Sequence, residues 1–242
     1  MITSKDIRLS VFFPAYYDEN NIGKVVDKAV EVLESLNLKD YEITIIEDGS
    51  PDNTAKVADD LAGKYPRVKV VHHIQNKGYG ATLWEGFTTA RFEYVFYTDG
   101  DNQFDLEELR KFVALLPYSD MVVGYRKKKQ YSAYRKITSF VYNYVLRLAF
   151  DIDFIDIDCA FKIIKTDLFR NITVSTKDAF IDAEIMIQAK LKRYSFTELG
   201  VVHLPRVDGF STAARPSIIF KTIWEIFQFR KIYKKQLSAG RK

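Results

Sequence analysis

A single cysteine, Cys159, stands in 242 residues. That excludes an internal disulfide and any cysteine-rich zinc site, and it fits a reducing compartment. Long apolar runs are lacking too. Nowhere do about 18 uncharged apolar residues follow one another, so no spanning helix is expected. The opening "MITSKDIRLSVFFPAYYDEN" is not expected to be a signal peptide, because its apolar stretch is short and meets Pro14. The net charge of +4 is too small to argue for nucleic acid as a partner. Histidine is scarce, and His72, His73 and His203 read as structural. No internal repeat is present, and no Pro/Gly/Ser-rich linker marks a boundary. The chain is therefore expected to be cytoplasmic and to form one domain.

What is present is a substantial core and unevenly placed charge. Hydrophobic residues make up 47% of the chain and aromatic residues 14%, enough for a sizeable interior. Arg126, Lys127, Lys128 and Lys129 form a run, and Arg230, Lys231, Lys234, Lys235, Arg241 and Lys242 crowd the end. Such local positive charge suits an anionic partner, either a phosphorylated ligand or a membrane surface.

Up to Arg126 the chain alternates between two patterns. "IRLSVFFPAY", "YEITIIEDGS", "RVKVVHHI", "YVFYTDGD" and "DMVVGYR" read as buried strands. Between them lie helical periodicities, such as Ile22, Val25, Val26, Ala29, Val30, Leu33 and Leu36. This is the signature of βαβ units, hence of an α/β, mostly parallel sheet with helices on both faces. Beyond Arg126 the alternation fades. "YSAYRKITSFVYNYVLRLAF" and "AFIDAEIMIQAKLKRY" read as helices, "DIDFIDIDCAFKII" as short strands, and "FTELGVVHLPRVDGFST" as a strand running into a turn. Asp151, Asp153, Asp156 and Asp158 alternate as on a solvent-facing strand, and they lack the Gly and terminal Glu of a calcium loop. The expected organisation is one lobe over 1–126, a second over 127–215 and a C-terminal helix over 216–242.

In parallel sheets ligands bind beyond the carboxyl ends of the strands. The strands here end in "PAYYDE", "EDGSPDNT", "QNKGYG", "DGDNQ" and "GYRKKK", so acids and bases converge on one edge. Asp99 and Asp101, separated by Gly100, suit a divalent cation bound to a substrate diphosphate, which takes one or two protein carboxylates. Gly100 would let the backbone approach the ligand, and Gln103 adds a neutral oxygen. A polar strand end is the ordinary alternative. Asp18 and Asp52 also suit helix caps, whereas Glu47 and Asp48 precede the turn and suit ligand hydroxyls and a base edge. "NKGYGATLWEG" lacks the three-glycine spacing of a dinucleotide fingerprint, and it reads as a close turn with Lys77 facing phosphate.

These motifs together resemble the family 2 glycosyltransferases of GT-A fold, in particular the polyprenyl-phosphate (dolichol-phosphate) mannosyl- and glucosyltransferases. "PAYYDENNI" is similar to the family's PAYNEExNI, "IEDGSPDNT" to VDDGSxDxT, "NKGYGAT" to NxGxGxA and "DGDNQ" to DADxQ. "GYR", "DIDCAFK" and "RVDGFST" follow in the family's order. The resemblance implies that Pro14, Tyr16, Asp18, Ile46 and Asp48 bind the nucleotide. It implies that Asp99, Gly100, Asp101 and Gln103 hold Mg²⁺ or Mn²⁺ and the sugar diphosphate, with Arg206 on the donor diphosphate from a loop. Arg126, Arg135 and Ser139 would receive an acceptor phosphate, and Asp101, Arg126 and Arg135 would be the catalytic set. Asp18 stands for a Glu, Glu47 for an Asp, Ala160 for a Gly and Thr212 for a Lys.

The implied reaction moves mannose or glucose from a GDP- or UDP-hexose to a polyprenyl or dolichyl phosphate, with inversion. A phosphate monoester is already anionic near neutral pH, so no general base is needed. The alternative is an enzyme extending a saccharide, with Glu184 as base. The last segment, "RPSIIFKTIWEIFQFRKIYKKQ", sets apolar and basic residues at helical spacing, which suits either a membrane interface or packing on the domain. "SFVYNYVLRLAF" could form a second interfacial helix, and the protein would then be peripheral on the cytoplasmic membrane face.

Overall fold

The computed structural model describes residues 3–128, 133–176, 178, 180–205 and 216–239, with backbone alone at 133–135, 216–221 and 236–239. Its first half follows the alternating pattern. Strand β1 (Arg8–Ala15) leads to helix α1 (Ile22–Ser35), β2 (Asp40–Glu47) to α2 (Thr54–Lys64), and β3 (Val68–His72) to α3 (Tyr79–Thr89). Then come β4 (Tyr94–Thr98), α4 (Leu109–Leu115) and β5 (Met121–Arg126). The second half contributes α5 (Ala133–Phe150), β6 (Phe161–Lys165), α6 (Asp167–Asn171), α7 (Ile181–Leu191), β7 (Phe196–Val201) and α8 (Pro216–Ala239).

The strands form one sheet in the order β3-β2-β1-β4-β6-β5-β7. After Arg8, every residue of β1 is buried, as a parallel strand covered on both faces must be. β1 runs parallel to β2 on one side and to β4 on the other, with Leu9 opposite both Tyr41 and Tyr94. Chain progress reverses at β1, which makes the β1/β4 edge the topological switch point where open α/β sheets bind ligands. β6 is the exception to the parallel pattern. It runs antiparallel to both β4 and β5 and so builds the two sequence segments into one sheet.

The core between sheet and helices is aromatic. Phe12 stacks on Tyr97 at 5.5 Å and meets Phe87 edge-on at 4.9 Å. Helix α3 presses close to this group through Gly86, where a Cβ would fall 2.3 Å from a Phe12 ring carbon.

Two readings of the sequence change. Residues 151–160 form turns rather than strands. Their backbone is held by side chains instead of a ladder: Arg147 donates to the Phe154 carbonyl at 2.7 Å, Asn143 accepts from Ile157 N at 3.1 Å, and Glu198 accepts from Ile155 N at 2.8 Å. The aspartate alternation there holds only at its start: Asp151 and Asp153 are exposed beside buried Ile152 and Phe154, whereas Asp156 is buried. Helix α8 packs on the domain along Ile226, Phe229 and Tyr233, with the Tyr233 hydroxyl donating to Phe150 O at 2.6 Å. Its Ile223, Trp224 and Phe227 remain exposed.

Replacing Gly86 with Ala is expected to cost about 1–3 kcal/mol by overpacking, read as a fall in Tm of roughly 2–12 °C. An unchanged Tm would show that α3 has room to move off Phe12.

Candidate active site

The parallel pairing of β1 with β4 sends the loops that follow them off the same edge. Gly100 lets those loops touch. A Cβ there would lie 2.9 Å from Pro14 O, 3.2 Å from an Ile22 methyl and 3.6 Å from the Asp18 carboxylate. The glycine therefore lets the two loops meet. The β1–α1 loop is pinned at each successive amide. Tyr16 N donates to Asp18 Oδ2 (3.0 Å), Tyr17 N to Ser50 Oγ (2.9 Å) and Asp18 N to Thr54 Oγ1 (2.9 Å).

Against this loop lies the acid pair. Asp99 accepts the Tyr79 hydroxyl at 3.0 Å. Burial, and then the neighbouring charge of Asp101, push its carboxyl up to about 7. Asp101 Oδ1 accepts from Gln103 N at 3.1 Å. Gln103 is buried, and its amide nitrogen donates to Leu204 O (3.1 Å) while Leu204 N returns to Gln103 O (2.8 Å). The segment after β7 is thereby tied to the acid loop, an arrangement completed by a bridge between Phe104 and His203. Beneath the acids, Lys162 is wholly enclosed, 2.9 Å from Asp182 and 3.1 Å from the Tyr97 hydroxyl, which itself donates to Asp182. Burial and the charge of Asp182 hold the Tyr97 phenol well above its usual value. A lysine so deep is tolerable only as a paired charge. The local sequence gave little sign of this Lys162–Asp182–Tyr97 group, whose members are far apart in the chain.

The acids after β2 turn inward. Glu47 accepts from Ser50 N at 2.5 Å and meets His72 Nδ1 at 3.1 Å. Asp48 accepts from Lys77 N (2.8 Å) and Gly78 N (3.0 Å) and meets His73 Nδ1 at 2.5 Å. Both carboxylates are buried, and they fix the two turns that flank this edge of the sheet. Ile46 lies in the core, and the exposed Lys77 ammonium sits 3.4 Å from Glu85.

On the far side, Arg126 forms a buried bidentate pair with Asp156, at 2.6 and 2.7 Å. Asp158 lies close by. Partial enclosure, and then the charge of Asp156, raise its carboxyl to about 7. Ser139 sits half-buried on α5. Arg135 is placed by its backbone on α5, its side chain lying outside the described residues, as do Arg206 and Thr212 altogether. Glu184 is 0% exposed. Its oxygens accept from Ser175 N and Oγ (2.7 and 2.9 Å), Thr176 N and Oγ1 (2.9 and 2.6 Å) and Gln188 Nε2 (3.2 Å). A carboxylate sealed and saturated in this way cannot reach an acceptor hydroxyl, which removes Glu184 as a base.

Residues 10–173 match the family model of glycosyl transferase family 2. The chain belongs to that family. Among similar proteins, the glycosyltransferase AglD of Haloferax volcanii is 29% identical over 238 residues, covering 93% of this chain and 38% of the relative. The dolichol-phosphate mannosyltransferase of Pyrococcus furiosus is 28% identical over 236 residues, covering 94% and 63%. The chain thus spans less than two thirds of either of these relatives. Of solved structures, the glucosyl-3-phosphoglycerate synthase of Mycobacterium tuberculosis superposes with a TM-score of 0.72 at 16% identity, covering 93% of this chain and 80% of the other. The family 2 chain accordingly has the GT-A fold.

Among the described residues no three His, Cys, Asp or Glu side chains converge as a metal cage. A cation at this edge would therefore take one or two carboxylates and complete its shell with substrate oxygens and water. The donor set suits that: Asp99 and Asp101 repel one another, and the Gln103 amide oxygen accepts nothing from the described residues.

Asp158 carries a pH signature. Its folded pKa is about 7 against an ordinary 3.8, so the unfolded chain releases its proton first and stability falls as pH rises from about 4 through 7. The Tm of Asp158→Asn minus that of the wild type should grow across this window and level off above it. A constant difference from pH 4 to 8 would show that Asp158 titrates normally.

Proposed function

We propose that this chain transfers a hexose, mannose or glucose, from a GDP- or UDP-sugar to a polyprenyl or dolichyl phosphate, with inversion at the anomeric carbon. The observation that carries the reading is the Asp99–Asp101 pair. Two partly buried carboxylates, of which burial and then the neighbouring charge lift one to about 7, gain most from a divalent cation. They stand at the switch point of a family 2 fold whose Pyrococcus relative is named a dolichol-phosphate mannosyltransferase. The Mycobacterium synthase has been solved with Mn²⁺ and UDP-glucose, in keeping with Mg²⁺ or Mn²⁺ here.

In this reading Asp99, Asp101 and the Gln103 oxygen hold the cation, which would neutralise charge on the departing diphosphate. Pro14, Tyr16, Asp18 and the backbone at Ile46, Asp48 and Gly100 frame the nucleotide, and Lys77 and Arg206 meet its phosphates. Arg126, aimed by Asp156, joins Arg135 and Ser139 on the acceptor phosphate. A phosphate oxygen attacks the anomeric carbon as the bond to the donor diphosphate breaks, and the nucleoside diphosphate leaves with that electron pair. The nucleophile arrives anionic, so the loss of Glu184 as a base removes nothing the reaction needs.

A lipid acceptor also gives a use to the exposed apolar side chains of α5 and α8. Ile137, Phe140, Val141, Tyr144 and Leu148 of α5 recur at helical spacing, and Ile223, Trp224 and Phe227 of α8 are exposed as well. Exposed Arg230, Lys231, Lys234 and Lys235 lie further along α8, a pairing of apolar and basic surface that fits an anionic bilayer interface. Among the described residues no helix is long and apolar enough to cross a membrane.

The test is to incubate the protein with Mn²⁺ or Mg²⁺, a polyprenyl phosphate and labelled GDP- and UDP-hexoses. Label should move into the organic phase and stay in water with Asp101→Ala. An active Asp101→Ala enzyme would overturn the cation assignment. The protein should also co-sediment with anionic vesicles, and Phe140→Ser together with Trp224→Ser should weaken this several-fold. Equal sedimentation of the variant would place the bilayer contact elsewhere.

A further inference from the structure

Asp99 has one hydrogen-bond donor among the described residues, the Tyr79 hydroxyl, 3.0 Å from its Oδ1. Its Oδ2 accepts from none of them. Asp101, by contrast, is aimed within its own loop, through the amide of Gln103. The orientation of Asp99 therefore hangs on a side chain 20 residues earlier, at the start of α3.

Tyr79 is itself held from behind. Gly78 before it takes a φ of 92°, which a side chain would resist, although a Cβ there would meet nothing within 4 Å. Glycine is thus required at this position for its backbone alone, to swing the chain from the loop into α3. Asp48 clips both Lys77 N (2.8 Å) and Gly78 N (3.0 Å). Buried His73 lies between Asp48 (2.5 Å) and Glu85 of α3 (2.7 Å). One imidazole so ties the turn to the helix that it opens, and Tyr79 keeps little freedom beyond its own side-chain torsions. Packing does not call for the hydroxyl, because the residue is 38% exposed and a phenylalanine would fill the same space.

A carboxylate ligates a cation best when a hydrogen bond to one oxygen fixes its plane and the other oxygen is left for the ion. Such a bond is also stronger to an ionised acceptor than to a neutral one. We propose that Tyr79 is a positioning residue for the cation: its hydroxyl fixes the Asp99 carboxylate through Oδ1 and leaves Oδ2 to the ion. This rests on the cation site proposed above. It gives the turn at residues 76–79 a second task, since the backbone that carries Lys77 also aims the acid.

The test uses the full chain, with Mn²⁺ binding read from the electron paramagnetic resonance signal of the free ion, and with thermal unfolding. Tyr79→Phe should weaken Mn²⁺ binding about tenfold, while Tm stays within about 2 °C of wild type. UDP and GDP, titrated calorimetrically, should bind the variant more weakly at limiting Mn²⁺. With Mn²⁺ in excess their affinity should return to within about twofold of wild type, because mass action overcomes a misaimed ligand and not a distorted pocket. Unchanged Mn²⁺ affinity in Tyr79→Phe overturns the proposal, as does a nucleotide deficit that excess Mn²⁺ does not remove, or a Tm lowered beyond that range. A wild type that binds no Mn²⁺, or an Asp101→Ala variant that binds it equally well, would instead overturn the cation site itself.

Discussion

The contact of Gly100 with the Pro14 carbonyl, 2.9 Å from where a Cβ would stand, is the constraint on which the β1/β4 edge depends. Parallel pairing of β1 and β4 delivers their loops to one side of the sheet, but pairing alone would leave them a side chain apart. Only a residue without Cβ allows the turn after β4 to lie on the loop after β1. Asp99 then feels the charges of both Asp101 and Asp18. Burial, and then the Asp101 charge that this closeness sets beside it, raise the Asp99 carboxyl to about 7.

Under that edge the electrostatics are balanced by a strand of opposite direction. β6 brings Lys162 between β4 and β5, where it meets Asp182 and the Tyr97 hydroxyl. Without Asp182 the ammonium would be an unpaired buried charge, and without Lys162 one more carboxylate would join the repelling set. A second balance holds at the far side, where Asp156 orients Arg126 and burial, then the charge of Asp156, lets Asp158 hold its proton up to about pH 7. The two halves of the site are joined by Gln103, whose amide nitrogen ties the segment after β7 to the acid loop.

Much of this was legible locally. The βαβ order follows from apolar periodicity, and the convergence of strand ends on one edge follows from that order, because strands joined by such crossovers run parallel. The Asp99–Asp101 pair and Arg126 were visible as motif residues. Other polar residues misled for one shared reason: a carboxylate's sequence position does not show who donates to it. Glu184 looked available and is saturated by residues 175, 176 and 188. Glu47 and Asp48 looked ligand-facing and hold turns. Asp156 looked solvated and grips a buried guanidinium.

The sequence by itself determined the order of elements, the edge at which the site lies and the residue types gathered there, since each depends on neighbours within a few positions. Only the tertiary structure decided which of those groups face a ligand and which face the protein. That choice turns on partners far along the chain: Asp182 with Tyr97 across 85 residues, Asp48 with Lys77 across 29, Gln103 with Leu204 across 101. Such pairings depend on strand register and on the antiparallel insertion of β6, and no local pattern encodes either.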